Sequence, residues 1–329
     1  SCVECLLRHG ADVHADQDFA LRCAAAEGHD LVVDLLLRAG ADIHSKEDAA
    51  LRVAAQKQRL ASVKCLLQAG ADVTAVDQFA IRVAAGSANI EVLRCVLDAL
   101  GDVPLNSGAL LDAIRSGLPD ALRLVLDRGA DPNYDDGRPL HYLVSSEVSP
   151  PVLVAMLDML VNAGADVHVR NHLVLECALS VGTAVAVQRL LHHGVSLLAV
   201  QPTAMIGLAR RGEVPTIEVL LDAGMPLYDA TAVQMLEEAA EHNRIAVIDL
   251  FERRGASPAS TDGARLVAAA GQGDLQLVQE FLKRELDPIV LHGTALQAAV
   301  RFRREPVVAA LLKHGQRVGP ARAEALRIQ

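Results

Sequence analysis

The chain repeats itself about every 30 residues, and that period restricts it to folds made by stacking one small unit on the next. Residues 21–44, LRCAAAEGHDLVVDLLLRAGADIH, return as residues 51–74, LRVAAQKQRLASVKCLLQAGADVT. Each copy divides into two helical patterns. The first carries small apolar residues, Ala24 and Ala25 in one copy and Ala54 and Ala55 in the next. The second sets Val32, Val33, Leu36 and Leu37 at helical spacing. Gly40 follows Arg38, where a left-handed residue closes a last helical turn. Helices of about two turns are marginal by themselves in water. Each must hide its apolar stripe against a neighbouring copy, which is the physical definition of a solenoid.

The residue that anchors the first helix recurs at Leu21, Leu51, Ile81, Leu110, Leu140, Leu175, Met205, Leu236, Leu266, Leu296 and Leu326, in steps of 29 to 31 with one step of 35. Ten complete helix pairs fit between Phe19 and Gly315. Val3, Leu6, Leu7 and Gly10 read as a half unit at one end, and Ala325, Leu326 and Arg327 as a half unit at the other. The expected organisation is a single array over residues 1–329 with an irregular unit at 130–164. Neither end shows the polar capping unit that finishes such arrays, so a piece of a longer array is the simplest reading.

These pieces resemble ankyrin repeats. Residues 25–29 read A-x-x-G-H, residues 32–37 read V-V-x-L-L-L, and G-A-D-V/I stands at 10–13, 40–43, 70–73 and 164–167. Residues 136–144, DGRPLHYLV, are close to the family's D-G-x-T-P-L-H-x-A signature. The resemblance recurs ten times along nearly the whole chain. It implies an all-α ankyrin solenoid of about ten helix-turn-helix units. Most units fall short of the family's usual length of about 33 residues. The loss lies where the family projects a β-hairpin finger, so shortened hairpin loops are expected. The T-P pair is replaced by F-A-L-R or A-A-L-R, and D-x-A-L-R-x-A-A-x-x-G-H is similar to the short repeats of giant viruses and amoeba-associated microbes.

Asp18 and Asp48 precede first helices and suit N-caps. Arg22 and Arg52 lie four residues on, within reach of those carboxylates, and Arg82 continues the column. The preferred reading is a structural Asp–Arg ladder. A phosphate-binding stripe is the alternative, and helix stacking at roughly 10 Å makes it sparse for one small ligand. The 35-residue step places extra residues in SSEVSPPV, 145–152, where Pro150 and Pro151 cannot continue a first helix. The same unit carries one family-like finger at residues 133–137, and Tyr134 and Tyr142 are two of only three tyrosines in the chain. Binding residues concentrate on loops held by rigid scaffolds, and tyrosine is enriched in hot spots. In the second half, MPL at 225–227, ASP at 256–258 and LDP at 286–288 replace G-A-D-V. Arg303 and Arg304 beside Arg301 are either a local basic patch or a solvated face.

Composition narrows the function classes. A net charge of −10 works against general nucleic-acid binding, which needs phosphate neutralisation. Aromatics at 2% without tryptophan leave little to stack on bases. No apolar run reaches the ~20 residues of a membrane span. Cys5, Cys65 and Cys95 share one repeat position, filled by Leu35 in the unit between, which marks a buried apolar slot in a reduced setting. His14, His44 and His168 recur with the loops, too far apart to share a metal. No zincin, phosphate-loop, nucleophile-elbow or dinucleotide motif is present. No catalytic, metal or cofactor site is expected.

The resemblance implies a non-catalytic scaffold that binds a protein partner along the concave face of first helices and fingers. The matching positions are Glu27, Gln56, Lys57, Ser87, Arg115, Ser145, Ser146, Arg210, Arg211, Glu241, Gln272, Arg301 and Phe302. Tyr134, Asp135, Asp136 and Tyr142 join them from the irregular unit. The partner is an unidentified protein, with neither nucleic acid nor membrane expected, and the chain is expected to be monomeric. The alternative is the targeting arm of a larger multidomain adaptor or microbial effector whose active part lies outside these residues. The setting expected is the cytoplasm, or the host cytosol for a secreted effector.

Overall fold

The computed structural model describes residues 2–197, 201–226, 229–284 and 293–318, and among these there are twenty-one α-helices and no strand. They fall into two compact units, Ser1–Val169 and Arg170–Gln329. In the first unit a lone second helix, α1 (Cys2–Arg8), precedes five pairs: α2 (Ala15–Glu27) with α3 (Asp30–Arg38), α4 (Ser45–Gln56) with α5 (Leu60–Gln68), α6 (Ala75–Ala85) with α7 (Ile90–Leu100), α8 (Gly108–Ser116) with α9 (Pro119–Asp127), and α10 (Tyr134–Val144) with α11 (Pro150–Asn162). The second unit has α12 (Val169–Val181) with α13 (Ala184–His192), α14 (Pro202–Arg211) with α15 (Val214–Asp222), α16 (Ala230–Glu241) with α17 (Ile245–Arg253), α18 (Pro258–Gln272) with α19 (Leu275–Lys283), and α20 (Thr294–Arg301) with α21 (Glu305–Val318). The ten pairs match the sequence reading. The half unit expected at residues 325–327 and the LDP segment at 286–288 lie outside the described residues.

Each unit is a two-layer stack. In the first, α2, α4, α6, α8 and α10 pack one on the next, and α3, α5, α7, α9 and α11 do the same. In the second, α14, α16, α18 and α20 form such a row, with α13, α15 and α17 and the pair α19–α21 beside them. The anchors Leu21, Leu51, Ile81, Leu110 and Leu140 are buried, as are the alanines at Ala24, Ala25, Ala54, Ala55, Ala84 and Ala85. Small residues let the first helices approach closely, while Val33, Leu36, Val63 and Leu66 fill the second layer. Each fully buried aliphatic side chain contributes ~1.5–3 kcal/mol.

Every second helix from α3 to α5 and onward to α17, α7 excepted, closes in one way. At α3, Gly40 takes φ 96, its N–H donates to Leu37 O at 3.1 Å, and the Ala41 N–H donates to Leu36 O at 3.0 Å. This Schellman closure satisfies the last carbonyls of the helix. It survives in the second unit, where Met225 donates to Leu220 O and Ala256 to Phe251 O. The loss of G-A-D-V there changes side chains but not the backbone turn.

The missing fingers are replaced by left-handed turns of three residues. Asp16–Gln17–Asp18, Lys46–Glu47–Asp48, Val76–Asp77–Gln78 and Asp135–Asp136–Gly137 all have φ between 50 and 78. A left-handed residue other than glycine costs roughly 1–2 kcal/mol, and more when it is β-branched like Val76. The segment at 133–137, expected as a family-like finger, is therefore the same turn as the others, with glycine in its third place. First helices of the second unit begin instead with Pro202 or Pro258, whose fixed φ suits a helix start, or with the Asp229 cap on the Ala232 N–H at 2.8 Å.

The turn explains the Asp and Arg columns, and corrects the pairing expected for them. Asp18 and Asp48 do not cap their own helices. Asp18 Oδ1 accepts the Asp42 N–H of the next unit at 2.8 Å, and Asp48 Oδ1 accepts the Asp72 N–H at 2.8 Å. Their other contacts are His14 and His44, four residues back. Arg22 and Arg52 reach past these carboxylates to turn carbonyls: Arg22 to Asp16 O and Gln17 O, Arg52 to Lys46 O at 2.7 Å and Glu47 O at 2.9 Å. A forked guanidinium is suited to two adjacent acceptors. Arg82 leaves the column and bonds Asp112 of the next unit at 3.1 Å.

The irregular unit divides its extra residues. The loop at 145–149 takes some, and α11 takes the rest by running for 13 residues where α3, α5 and α9 have nine. Pro150 ends nothing; it stands in the first turn of α11, where its missing N–H costs nothing. The slot shared by Cys5, Cys65 and Cys95 is exposed at Cys5 and half-buried at the other two, not the buried site expected. Partial burial, aided by the charges of Asp34 and Asp30, pushes the Cys65 thiol up.

Asp48→Ala strips the Asp72 N–H of its acceptor within the stack and should lower the free energy of unfolding by about 1–3 kcal/mol in a urea titration. Asp48→Asn keeps an oxygen there and should retain most of that stability. Equal losses in the two variants would assign the effect to charge instead.

Candidate functional site

The first-helix residues expected at a partner contact stand five and six positions after each anchor, where the helix ends. Glu27, Gln56, Lys57, Arg115, Ser145, Arg210, Arg211, Gln272, Arg301 and Phe302 are exposed there. Glu241 and Ser146 are half-buried, and Ser146 Oγ donates to Leu143 O at 2.6 Å. Ser87 drops out: it is 8% exposed and its hydroxyl donates to Ala84 O at 2.8 Å, satisfying the end of α6.

In the first unit the structure joins two of the expected residues through a third that the sequence did not single out. Arg115 Nη1 donates to Asp112 Oδ1 at 2.9 Å, and Arg115 Nε donates to the Tyr142 hydroxyl at 3.3 Å. Arg82 Nε donates to the other oxygen of Asp112 at 3.1 Å. The chain Arg82–Asp112–Arg115–Tyr142 thus crosses three consecutive first helices. The Tyr142 bond, then the Asp112 charge, hold Arg115 more firmly protonated than usual. Tyr134 stands at the other end of α10, 36% exposed, with Asp135 beside it paired to Arg138 at 2.8 Å; Asp136 is exposed in the same turn. Asp112 was discoverable: an acid two residues after the Leu110 anchor faces an arginine 30 residues back.

In the second unit Arg210 grips Glu238 of the next first helix with two bonds of 2.9 Å, and His242 lies 3.4 Å from the same carboxylate. The Arg210 bond, against a smaller desolvation effect, holds the Glu238 carboxyl below its ordinary range. Arg301 reaches Glu241 at 3.4 Å, across the unit between them. Gly271 stands between them without a side chain, and a Cβ there would make ordinary contact with the Phe302 ring at 3.5 Å. The result is a notch of about 160 Å³ lined by Glu241, Gln297, Ala298, Arg301 and Phe302. Gln272 bonds Asn243, and Arg211 donates to Leu179 O at 2.7 Å. Arg304 donates to Gly271 O at 3.1 Å, as Arg59 does to Ala26 O and Arg244 to Arg210 O, so it closes a helix end rather than building a basic patch.

A wider groove of about 670 Å³ opens among the loops beside α14, lined by Leu191, Pro202, Met205, Met225, Pro226 and others. Its carboxylate, Asp229, is spent on capping α16. Among the described residues no three His, Cys, Asp or Glu side chains are placed to hold a metal, and no helix is long and apolar enough to cross a membrane.

Residues 1–77 match the family model described as ankyrin repeats (3 copies). Residues 1–77 carry ankyrin repeats. A search of curated proteins gave no match. Among solved structures, the human ASB11 ankyrin repeat domain aligns at 21% identity over 72% of this chain and 98% of that one, with a TM-score of 0.38. The ankyrin repeat domain of Bcl-3, described as a unique member of the IkappaB protein family, aligns at 21% identity over 70% and 97%, also at 0.38. The matched ankyrin repeats are the ones closed by Gly10, Gly40 and Gly70, where the left-handed turns and the Asp18 and Asp48 bridges are found.

The Arg210–Glu238 pair gives a pH signature. Its carboxyl is depressed in the folded state, so the stabilisation is full above the ordinary value of 4.5 and fades as pH falls through the lower folded value. The difference in urea midpoint between the unaltered chain and Arg210→Ala should be open at neutral pH and narrow steadily below 4.5. A difference that stays constant would mean that Arg210 acts through packing.

Proposed function

We propose that this ankyrin-repeat chain is a non-catalytic scaffold that binds a protein partner along the concave face made by its first-helix ends. One observation carries the reading. Rigidly buried anchors present an outward column that differs from repeat to repeat: Gln56, Arg115, Ser145, Arg210, Glu241 and Arg301 occupy equivalent places. A repeating small ligand would need the same side chain at each step, whereas one extended protein surface needs variety. Ankyrin repeats are as a rule protein-interaction modules without catalytic activity, which agrees with this reading. The contact residues proposed are Glu27, Gln56, Lys57, Arg115, Tyr134, Asp135, Asp136, Tyr142, Ser145 and Ser146 in the first unit. Arg210, Arg211, Glu241, Gln272, Arg301 and Phe302 serve in the second. Phe302, 47% exposed beside Arg301, has the composition of a hot spot. The chain binds as a monomer, in the cytoplasm.

The test is capture from a lysate by the purified chain, beside two variants. One carries Arg115→Ala, Tyr134→Ala and Tyr142→Ala; the other carries Arg301→Ala and Phe302→Ala. A partner retained by the unaltered chain should be lost, by about tenfold or more, from at least one variant with an unchanged melting temperature. A partner held equally by all three proteins would place the contact away from the first-helix ends.

A further inference from the structure

We infer that Arg115 is where the first unit receives a carboxylate of its protein partner; this rests on the scaffold reading and adds the chemistry recognised. The argument is a count of charge and of donors. Arg82 and Arg115 share the one carboxylate of Asp112, whose side chain is only 10% exposed and cannot turn to other partners. In the second unit Arg210 and Arg301 bridge first helices with a separate carboxylate each, Glu238 and Glu241. Asp112 by itself thus faces two guanidinium groups. Asp77 offsets Arg82 from the far side, its Oδ2 3.9 Å from Arg82 Nη1, and leaves Arg115 with only its share of Asp112.

Arg115 is the more open of the two, its side chain 64% exposed against 41% for Arg82. Asp112 takes Nη1 and the Tyr142 oxygen takes Nε, so Nη2 has no partner among the described residues. The Tyr142 oxygen accepts from Arg115 and keeps its own O–H free to donate. Two unused donors, one on each side of a single hydrogen bond, match the two oxygens of a carboxylate. Asp112 and Tyr142 fix the guanidinium before binding, which lowers the ordering cost that an exposed arginine otherwise carries. The neighbouring first-helix ends carry small residues, Gly86 and Ser145, at the places equivalent to Arg115.

The probe is a library of random peptides displayed on phage, selected on the full chain and, in parallel, on Arg115→Gln, Arg115→Lys and Tyr142→Phe. Peptides enriched on the unaltered chain should share an Asp or Glu at one fixed position. That preference should vanish on Arg115→Gln and weaken on Tyr142→Phe, while other shared positions persist. A synthetic winner should bind Arg115→Gln about tenfold more weakly, with Arg115→Lys between, because lysine keeps the charge but not the fork. Thermal unfolding of each variant checks that the stack is intact. Enrichment without a fixed acidic position, or an acidic position that persists on Arg115→Gln, overturns the inference. So does a winner whose binding improves when phosphoserine replaces its acid, and so does a lack of enrichment on the unaltered chain. Capture from a lysate judges the scaffold reading separately.

Discussion

A backbone N–H without a partner in its own repeat governs the first unit. The amide of Asp42, and those of Asp72, Asn106, Asp131 and Asp166 after it, lies in a loop too short to supply an acceptor. Each is met by a side chain of the preceding repeat: Asp18, Asp48, Gln78, Ser107 and Asn133 in turn. Five successive links of 2.8–3.0 Å follow one rule with four different residue types. At Asp18, Asp48 and Gln78 the acceptor is the third residue of a left-handed turn. With the finger shortened, three residues must carry the chain from the loop to the next first helix, and the left-handed path aims the third side chain at the neighbouring repeat. The conformational cost is met locally by Arg22 and Arg52 on the turn carbonyls and across the interface by the acceptor itself.

The period, the helix pairs and the glycine closures were legible because each rests on a local rule: apolar spacing, a left-handed cap, a proline at a helix start. The roles of Asp18 and Arg22 were only half legible. Their four-residue spacing pointed to an ion pair, and a helical backbone would have made one. Asp18 is itself left-handed, the last of three such residues, so its carboxylate leaves the helix direction and diverges from the guanidinium. Nothing in residues 133–137 separates a hairpin from that turn either, since both accept Asn, Asp and Gly. Ser87 shows a different limit. Its place in the period was right, but a hydroxyl at a helix end satisfies its own backbone before it meets anything else.

The two units differ in how they treat charge on the first-helix face. In the second, Arg210 and Arg301 each face a different glutamate, and the Arg210 guanidinium holds the Glu238 carboxyl below its ordinary range. In the first, a nearly buried acid serves two cations. The sequence shows both as mixtures of Arg, Asp and Glu at similar spacing. Only the burial of Asp112 and the position of Tyr142 distinguish a satisfied face from one with a donor to spare.

The bond from Arg301 to Glu241 has a further consequence. Stacked repeats are ordinarily treated as a one-dimensional chain in which each element feels only those adjacent to it, so that stability is a sum of intrinsic and interfacial parts. Arg301 bonds Glu241 sixty residues away, and α16 touches α20 over the top of α18. Three repeats at that place are joined by a second-neighbour contact, which a sum over adjacent pairs leaves out.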